Sequence, residues 1–125
     1  MSLDVYLHER RRFDVTCQHC GQPTPAEAPG EEVYQANITH NLNRMAEAAG
    51  IYQHCWRPEE LGITTARELI EPLRAGLAKL KADPAHFETF NASNGWGLYK
   101  DFVPWVERYL AACEAHPDAV VTVSR

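Results

Sequence analysis

Cys17 and Cys20, separated by two residues and followed by Gly21, have the spacing of a zinc knuckle. Two thiolates at this spacing can point at one metal ion, and a glycine after them permits the sharp turn that brings them together. The pattern predicts a structural zinc site. A structural zinc ion takes four ligands, and the chain has no second Cys-x-x-Cys pair.

The two missing ligands can come from the same chain or from a second copy of it. We predict a ligand set of Cys17, Cys20, His40 and His54, with His8, His19 and Cys55 as further candidates. In a homodimer, two Cys-x-x-Cys pairs can instead share one ion. Two alternatives stay open: reduced surface cysteines without metal, and redox chemistry, although a thioredoxin-type pair opens a helix within a βαβ unit.

The remaining cysteines have different surroundings. Cys113 lies on the apolar stripe of a predicted helix, which indicates a small core residue. Cys55, next to Trp56, can be a core residue or a metal ligand, and the core is favoured.

Four polar residues recur at helical spacing in the middle of the chain. Asn37, His40, Asn41 and Arg44 stand at i, i+3, i+4 and i+7, on one face of a predicted helix. A histidine between asparagines and an arginine, near the free N–H groups of a helix start, suits a nucleotide-like or phosphate-bearing ligand. The alternative is a solvated helix face that Asn37 or Thr39 caps.

The segment Asn94–Gly97 has the composition of a tight loop that presents a tryptophan between two glycines. Such an indole can plug the core, or it can be a stacking platform for a base or for a partner's side chain. In the second case Asn94 and Trp96 join Asn37, His40, Asn41 and Arg44 as predicted ligand-binding residues.

Composition narrows the classes of function. The chain has 125 residues, is 45% apolar and carries a formal net charge of −5, which is typical of one acidic globular domain and makes nucleic acid an unlikely partner. The sequence lacks Gly-x-Ser-x-Gly, His-Glu-x-x-His and a glycine-rich phosphate loop. It shows no signal-peptide pattern and no run long enough to span a bilayer, so we expect a cytoplasmic protein with no membrane partner.

A small sheet and about three helices must position these residues. Apolar–polar alternation predicts a strand over 3–8 and a weaker one over 32–38, and a β-branched run predicts a third over 119–124. The N- and C-terminal strands should share one mostly antiparallel sheet. Apolar stripes predict three helices: one over 38–49, one from the capping box at 65–68 through 80 that Pro72 should kink or split, and one over 101–115.

The predicted fold class is therefore α+β, with a small antiparallel sheet packed against the helices. Residues 1–125 form a single domain. Within it, 16–31 form a zinc-knuckle-like loop inserted in the first hairpin.

Six short motifs stand out along the chain as a set: Met1–Leu7, Ala36–Leu42, Ala49–Tyr52, Trp56–Glu60, Asn94–Gly97 and Val123–Arg125. Together they resemble a family of small uncharacterised proteins of tailed bacteriophages and prophages, over nearly the whole chain except about 9–31. The resemblance implies a phage accessory protein in the host cytoplasm, of the kind that blocks a host factor or sequesters a signalling molecule. It also implies that the Cys-x-x-Cys stretch is an elaboration of the first hairpin.

Three functional hypotheses follow. The first is a non-catalytic phage accessory protein, with a structural zinc ion, that binds a host protein or a small nucleotide-like ligand through the polar set and the Trp96 loop. The second is a small metal- or histidine-dependent hydrolase or nuclease-like enzyme in which His40 is a general base or a metal ligand. The third, which the net charge disfavours, is a zinc-assisted nucleic-acid binder that uses Cys17, Cys20 and Arg10–Arg12.

Overall fold

A computed structural model describes the backbone of residues 2–16 and 23–125 and the side chains of residues 2–9 and 30–125. Over these ranges the fold is α+β, with three strands, five α-helices and two short 3₁₀ turns. The elements in chain order are β1 (Ser2–Thr16), β2 (Pro23–Thr39), a 3₁₀ turn (His40–Leu42), α1 (Asn43–Ala48), α2 (Tyr52–Trp56), a second 3₁₀ turn (Pro58–Leu61), α3 (Arg67–Ala82), α4 (Pro84–Glu88), α5 (Tyr99–Ala115) and β3 (Val120–Ser124).

The three strands form one antiparallel sheet in the order β2-β1-β3, so that the N- and C-terminal strands pair as the sequence predicts. Leu3, Val5 and Leu7 are fully buried, and they place one face of β1 on the core. β1 and β2 are longer than predicted. β3 pairs with β1 only as far as His8, which lies opposite Val120. Beyond His8, β1 and β2 continue as a two-stranded ladder whose backbone pairing reaches Thr16 opposite Pro23.

The helices cover the buried face of the sheet. The apolar stripes of α3 and α5 pack against each other, and Leu69, Leu73, Phe102 and Tyr109 are fully buried. Pro72 does not split α3, which runs unbroken from Arg67 to Ala82. No helix in the described ranges combines the length and the apolar run needed to cross a membrane.

The predicted helix over 38–49 is wrong at its start. Ile38 still belongs to β2, where it pairs with Leu3 and is buried against the core, because a β-branched residue packs well on a pleated sheet. The chain then makes a 3₁₀ turn over His40–Leu42, and α1 begins only at Asn43. Thr39 caps this turn by accepting a hydrogen bond from the Asn41 backbone N–H at 3.3 Å.

Two further differences concern the number and the limits of the helices. The structure has α2 and α4 besides the three predicted helices, so that five α-helices are present where about three were expected. α5 begins at Tyr99 instead of Asp101, which lies in its first turn. The predicted knuckle, Cys17 to Gly21, lies outside the described residues.

Candidate functional site

Five of the six predicted ligand-binding residues line one open groove of about 1010 Å³: Asn37, His40, Asn41, Asn94 and Trp96. Five elements contribute to it. The end of β2 and the 3₁₀ turn after it form one side, and the Trp96 loop (94–97) forms the other, with Asp101 of α5 and Ser2 of β1 beside them. We call this feature the Trp96 groove.

Hydrogen bonds fix the backbone of the Trp96 loop. The Asn94 side-chain oxygen accepts from the Trp96 N–H at 2.9 Å, and the Asn41 side-chain amide donates to the Trp96 carbonyl at 2.8 Å. Gly95 and Gly97 have φ angles of 80° and 114°, which glycine adopts without strain. A Cβ atom at Gly97 would lie 2.9 Å from Cβ of Asn41, so only glycine lets the loop approach the 3₁₀ turn this closely.

This loop holds the Trp96 side chain in solvent. The indole is 71% exposed, which excludes the alternative that it plugs the core. In the described part of the chain, the other large apolar side chain that is exposed is Leu61, at 41%, and it does not line the groove. The ring is therefore accessible to another molecule at the surface.

The ring of His40 accepts a hydrogen bond from a buried tryptophan. The indole N–H of Trp56 donates to Nδ1 of His40 at 2.9 Å, and Trp56 is only 2% exposed. Because an indole nitrogen can only donate, Nδ1 of His40 carries no proton and the neutral ring carries its proton on Nε2. His40 therefore lines the groove as a hydrogen-bond donor.

Asn37 and Asn41 each contribute a side-chain oxygen to the groove. The Asn37 side-chain NH₂ donates to the hydroxyl of Ser2 at 2.9 Å and to a carboxylate oxygen of Asp4 at 2.8 Å, which uses both of its protons. One proton of the Asn41 NH₂ is engaged with the Trp96 carbonyl. The side-chain oxygens of Asn37 and Asn41 are acceptors, and the carboxylate of Asp101 adds another to the same groove. Asn94 is the opposite case, because its oxygen is engaged with the Trp96 N–H and its NH₂ is a donor.

Arg44 is the sixth predicted residue, and the structure places it outside the groove. It lines a neighbouring pocket of about 390 Å³ together with Asn41 and Asn94. The helical spacing that aligned it with Asn37 does not apply, because Asn37 is on a strand and Arg44 is on α1. The predicted polar helix face is therefore wrong as a helix face.

His40 and His54, two of the predicted zinc ligands, line different pockets. His54 lines a separate pocket of about 440 Å³ with Glu47 and Arg57, so it does not share a pocket with His40. Burial lowers the pKa of His54, with a smaller opposing effect from the backbone of Gly50. Over the described residues, no three His, Cys, Asp or Glu side chains are grouped to hold a metal ion.

Cys55 and Cys113 are fully buried, as expected for core residues. Burial raises the pKa of Cys113 to about 12 and raises the pKa of Cys55 still further, so both thiols stay protonated in the folded protein at neutral pH. Cys17 and Cys20 lie outside the described residues, so zinc binding stays a prediction.

Sequence reasoning missed three residues that shape the groove: Trp56, Asp4 and Asp101. Asp4 lies directly opposite Asn37 in the β1–β2 register, so a correct register for the predicted strands would have placed the two side chains together. No sequence signal connects Trp56 with His40, or Asp101 with the Trp96 loop.

The chain was compared with models of protein families, with curated proteins and with solved structures, and none of these comparisons found a match. The Trp96 groove is therefore interpreted from its own residues.

Proposed function

We propose that the protein is a non-catalytic binding protein and that its ligand occupies the Trp96 groove. The observation that carries this proposal is the 71% exposed indole on a loop that two side-chain hydrogen bonds and two glycines hold in place. Aromatic side chains of this kind dominate binding energies because they bury much area at little cost in conformational entropy. The polar groups around the indole can then orient the ligand.

The partner in this proposal is a host protein or a small ligand with a flat polar group of nucleotide-like shape. The motifs that resemble phage and prophage proteins support an accessory role in the host cytoplasm. A structural zinc ion held by Cys17 and Cys20 belongs to the same proposal, and it serves the hairpin, not the groove.

Catalysis by His40 is the competing proposal, and the hydrogen bonding of its ring argues against it. A general base needs a free lone pair toward the substrate and is commonly oriented by a carboxylate. In His40 the lone pair is on Nδ1 and is used by Trp56, whereas Nε2 is protonated. The ring is built to donate a hydrogen bond to a ligand.

A thermal-shift screen tests the proposal. Nucleosides, nucleotides and short peptides are added to the intact chain, and each ligand that raises the melting temperature is repeated with Trp96→Ala, Asn37→Ala and His40→Ala. Leu61→Ala is the matched control, because Leu61 is the exposed apolar side chain outside the groove. The proposal expects the three groove variants to lose the shift and Leu61→Ala to keep it. Shifts that survive in all three groove variants would place the ligand elsewhere.

A further inference from the structure

The Trp96 groove offers several hydrogen-bond acceptors, one of which is a carboxylate. The internal hydrogen bonds of Asn37 and Asn41 use their NH₂ groups and leave their side-chain oxygens, and Asp101 contributes a carboxylate. Donors are present as well, on Nε2 of His40 and on the NH₂ of Asn94. A phosphate group would meet the carboxylate of Asp101 with no lining cation to offset its charge, whereas a positively charged ligand with N–H groups finds several acceptors.

The charge of the groove favours a cation. Asp101 lines it, and none of the lining residues is lysine or arginine. Asp4 adds a second carboxylate next to the groove, where it accepts a hydrogen bond from Asn37. The whole chain is acidic as well, with a net charge of −5.

The shape of the groove fits an extended peptide. β2 is at the edge of the sheet, and five consecutive residues, 37–41, line the groove where this edge strand ends. An edge strand presents backbone N–H and C=O groups to which a further strand can pair. The volume of about 1010 Å³ exceeds what a single side chain would fill.

These observations converge on one ligand class, and this inference rests on the function proposed above. We propose that the Trp96 groove binds an extended, arginine-bearing segment of a partner protein, with the guanidinium stacked on Trp96 and donating to the oxygens of Asn37, Asn41 and Asp101. A guanidinium is flat, stacks on indole faces and carries five N–H donors, which matches this set of acceptors better than the compact ammonium group of lysine.

The test is fluorescence anisotropy with a labelled peptide of six to eight residues, blocked at both ends, that carries arginine at alternate positions. The matched probe replaces each arginine by citrulline, which keeps the shape and removes the charge. We expect the citrulline peptide to bind at least about tenfold more weakly. Trp96→Ala should weaken binding of the arginine peptide by about tenfold, and Asp101→Asn by about fivefold.

Asp118→Asn is the control for charge, because it changes the net charge as Asp101→Asn does but lies outside the groove, where it pairs with Arg67. It should leave the affinity unchanged. Equal binding of the two peptides, or equal losses in the two aspartate variants, would overturn the arginine assignment. If a nucleotide binds and Trp96→Ala abolishes that binding, the groove remains the site and only the arginine assignment fails. If no ligand depends on Trp96, the proposed function fails as well.

Discussion

Gly97→Ala should destabilise the protein much more than Gly95→Ala does, because the two glycines differ in what surrounds them. At Gly95 φ is 80° and nothing lies within 4 Å of a Cβ atom, so the added methyl costs only backbone strain, about 1 kcal/mol. At Gly97 φ is 114° and the methyl would lie 2.9 Å from Cβ of Asn41. Strain and overlap together should lower the free energy of unfolding by about 3 kcal/mol.

Urea unfolding measures this difference directly. With an m-value of about 1.5 kcal/mol/M for a chain of this size, the midpoint should fall by about 2 M for Gly97→Ala and by about 0.7 M for Gly95→Ala. The two variants share the loop, the added methyl group and the loss of a glycine, so their difference reports the contact with Asn41 together with the difference in backbone strain between φ 80° and φ 114°.

Equal midpoints for the two variants would contradict the close contact between Gly97 and Asn41. They would show that the loop does not press against the 3₁₀ turn and that the position of Trp96 is not fixed in the way described. A larger loss for Gly97→Ala, accompanied by weaker ligand binding, would connect this close approach with the function of the groove.

Three further predictions concern His40, the buried thiols and zinc. His40→Ala leaves the indole N–H of Trp56 without its acceptor and should lower the free energy of unfolding, measured in urea, by about 2 kcal/mol. His40→Gln has a carbonyl that can accept the bond and should recover part of this loss. Equal losses in the two variants would contradict the bond. Burial raises the pKa of Cys113 to about 12, above the ordinary value of 9.0, so the unfolded chain releases this proton first. The free energy of unfolding should therefore fall as the pH rises above 9, and Cys113→Ala should make that fall shallower. Elemental analysis should find at least about one zinc per two chains, and Cys17→Ser should remove it. Less zinc than this in the unaltered protein would contradict both a zinc site within one chain and a zinc site shared by two chains.

Much of the fold could be predicted from the sequence, because it follows from simple periodicities. Leu3, Val5 and Leu7 alternate as a half-buried strand does, and the stripes of α3 and α5 repeat with the helical period. The helix over 38–49 failed at its start because a short window of apolar residues fits either period. Pairing with Leu3 across the sheet makes Ile38 part of a strand, and this pairing is a long-range contact that no local pattern contains.

The residues of the groove could be named, but their arrangement could not. Asparagine, histidine and tryptophan in two short motifs suggested a binding surface, yet the two motifs are more than fifty residues apart and meet through the bond from Asn41 to the Trp96 carbonyl. The donors and acceptors that the groove offers depend on which atom of each amide is already engaged. That information exists only in the folded hydrogen-bond network, as does the tautomer that Trp56 imposes on His40.

Quenching of tryptophan fluorescence by acrylamide tests most directly whether the ligand binds at Trp96. Of the three tryptophans, Trp56 and Trp105 are 2% and 3% exposed, so quenching reports mainly on Trp96. With the unlabelled arginine peptide at a concentration that anisotropy shows to be saturating, we expect the quenching constant to fall to nearly that of Trp96→Phe. Saturated binding with an unchanged quenching constant would rule out binding at Trp96, because the ligand would then occupy a surface that leaves Trp96 in solvent.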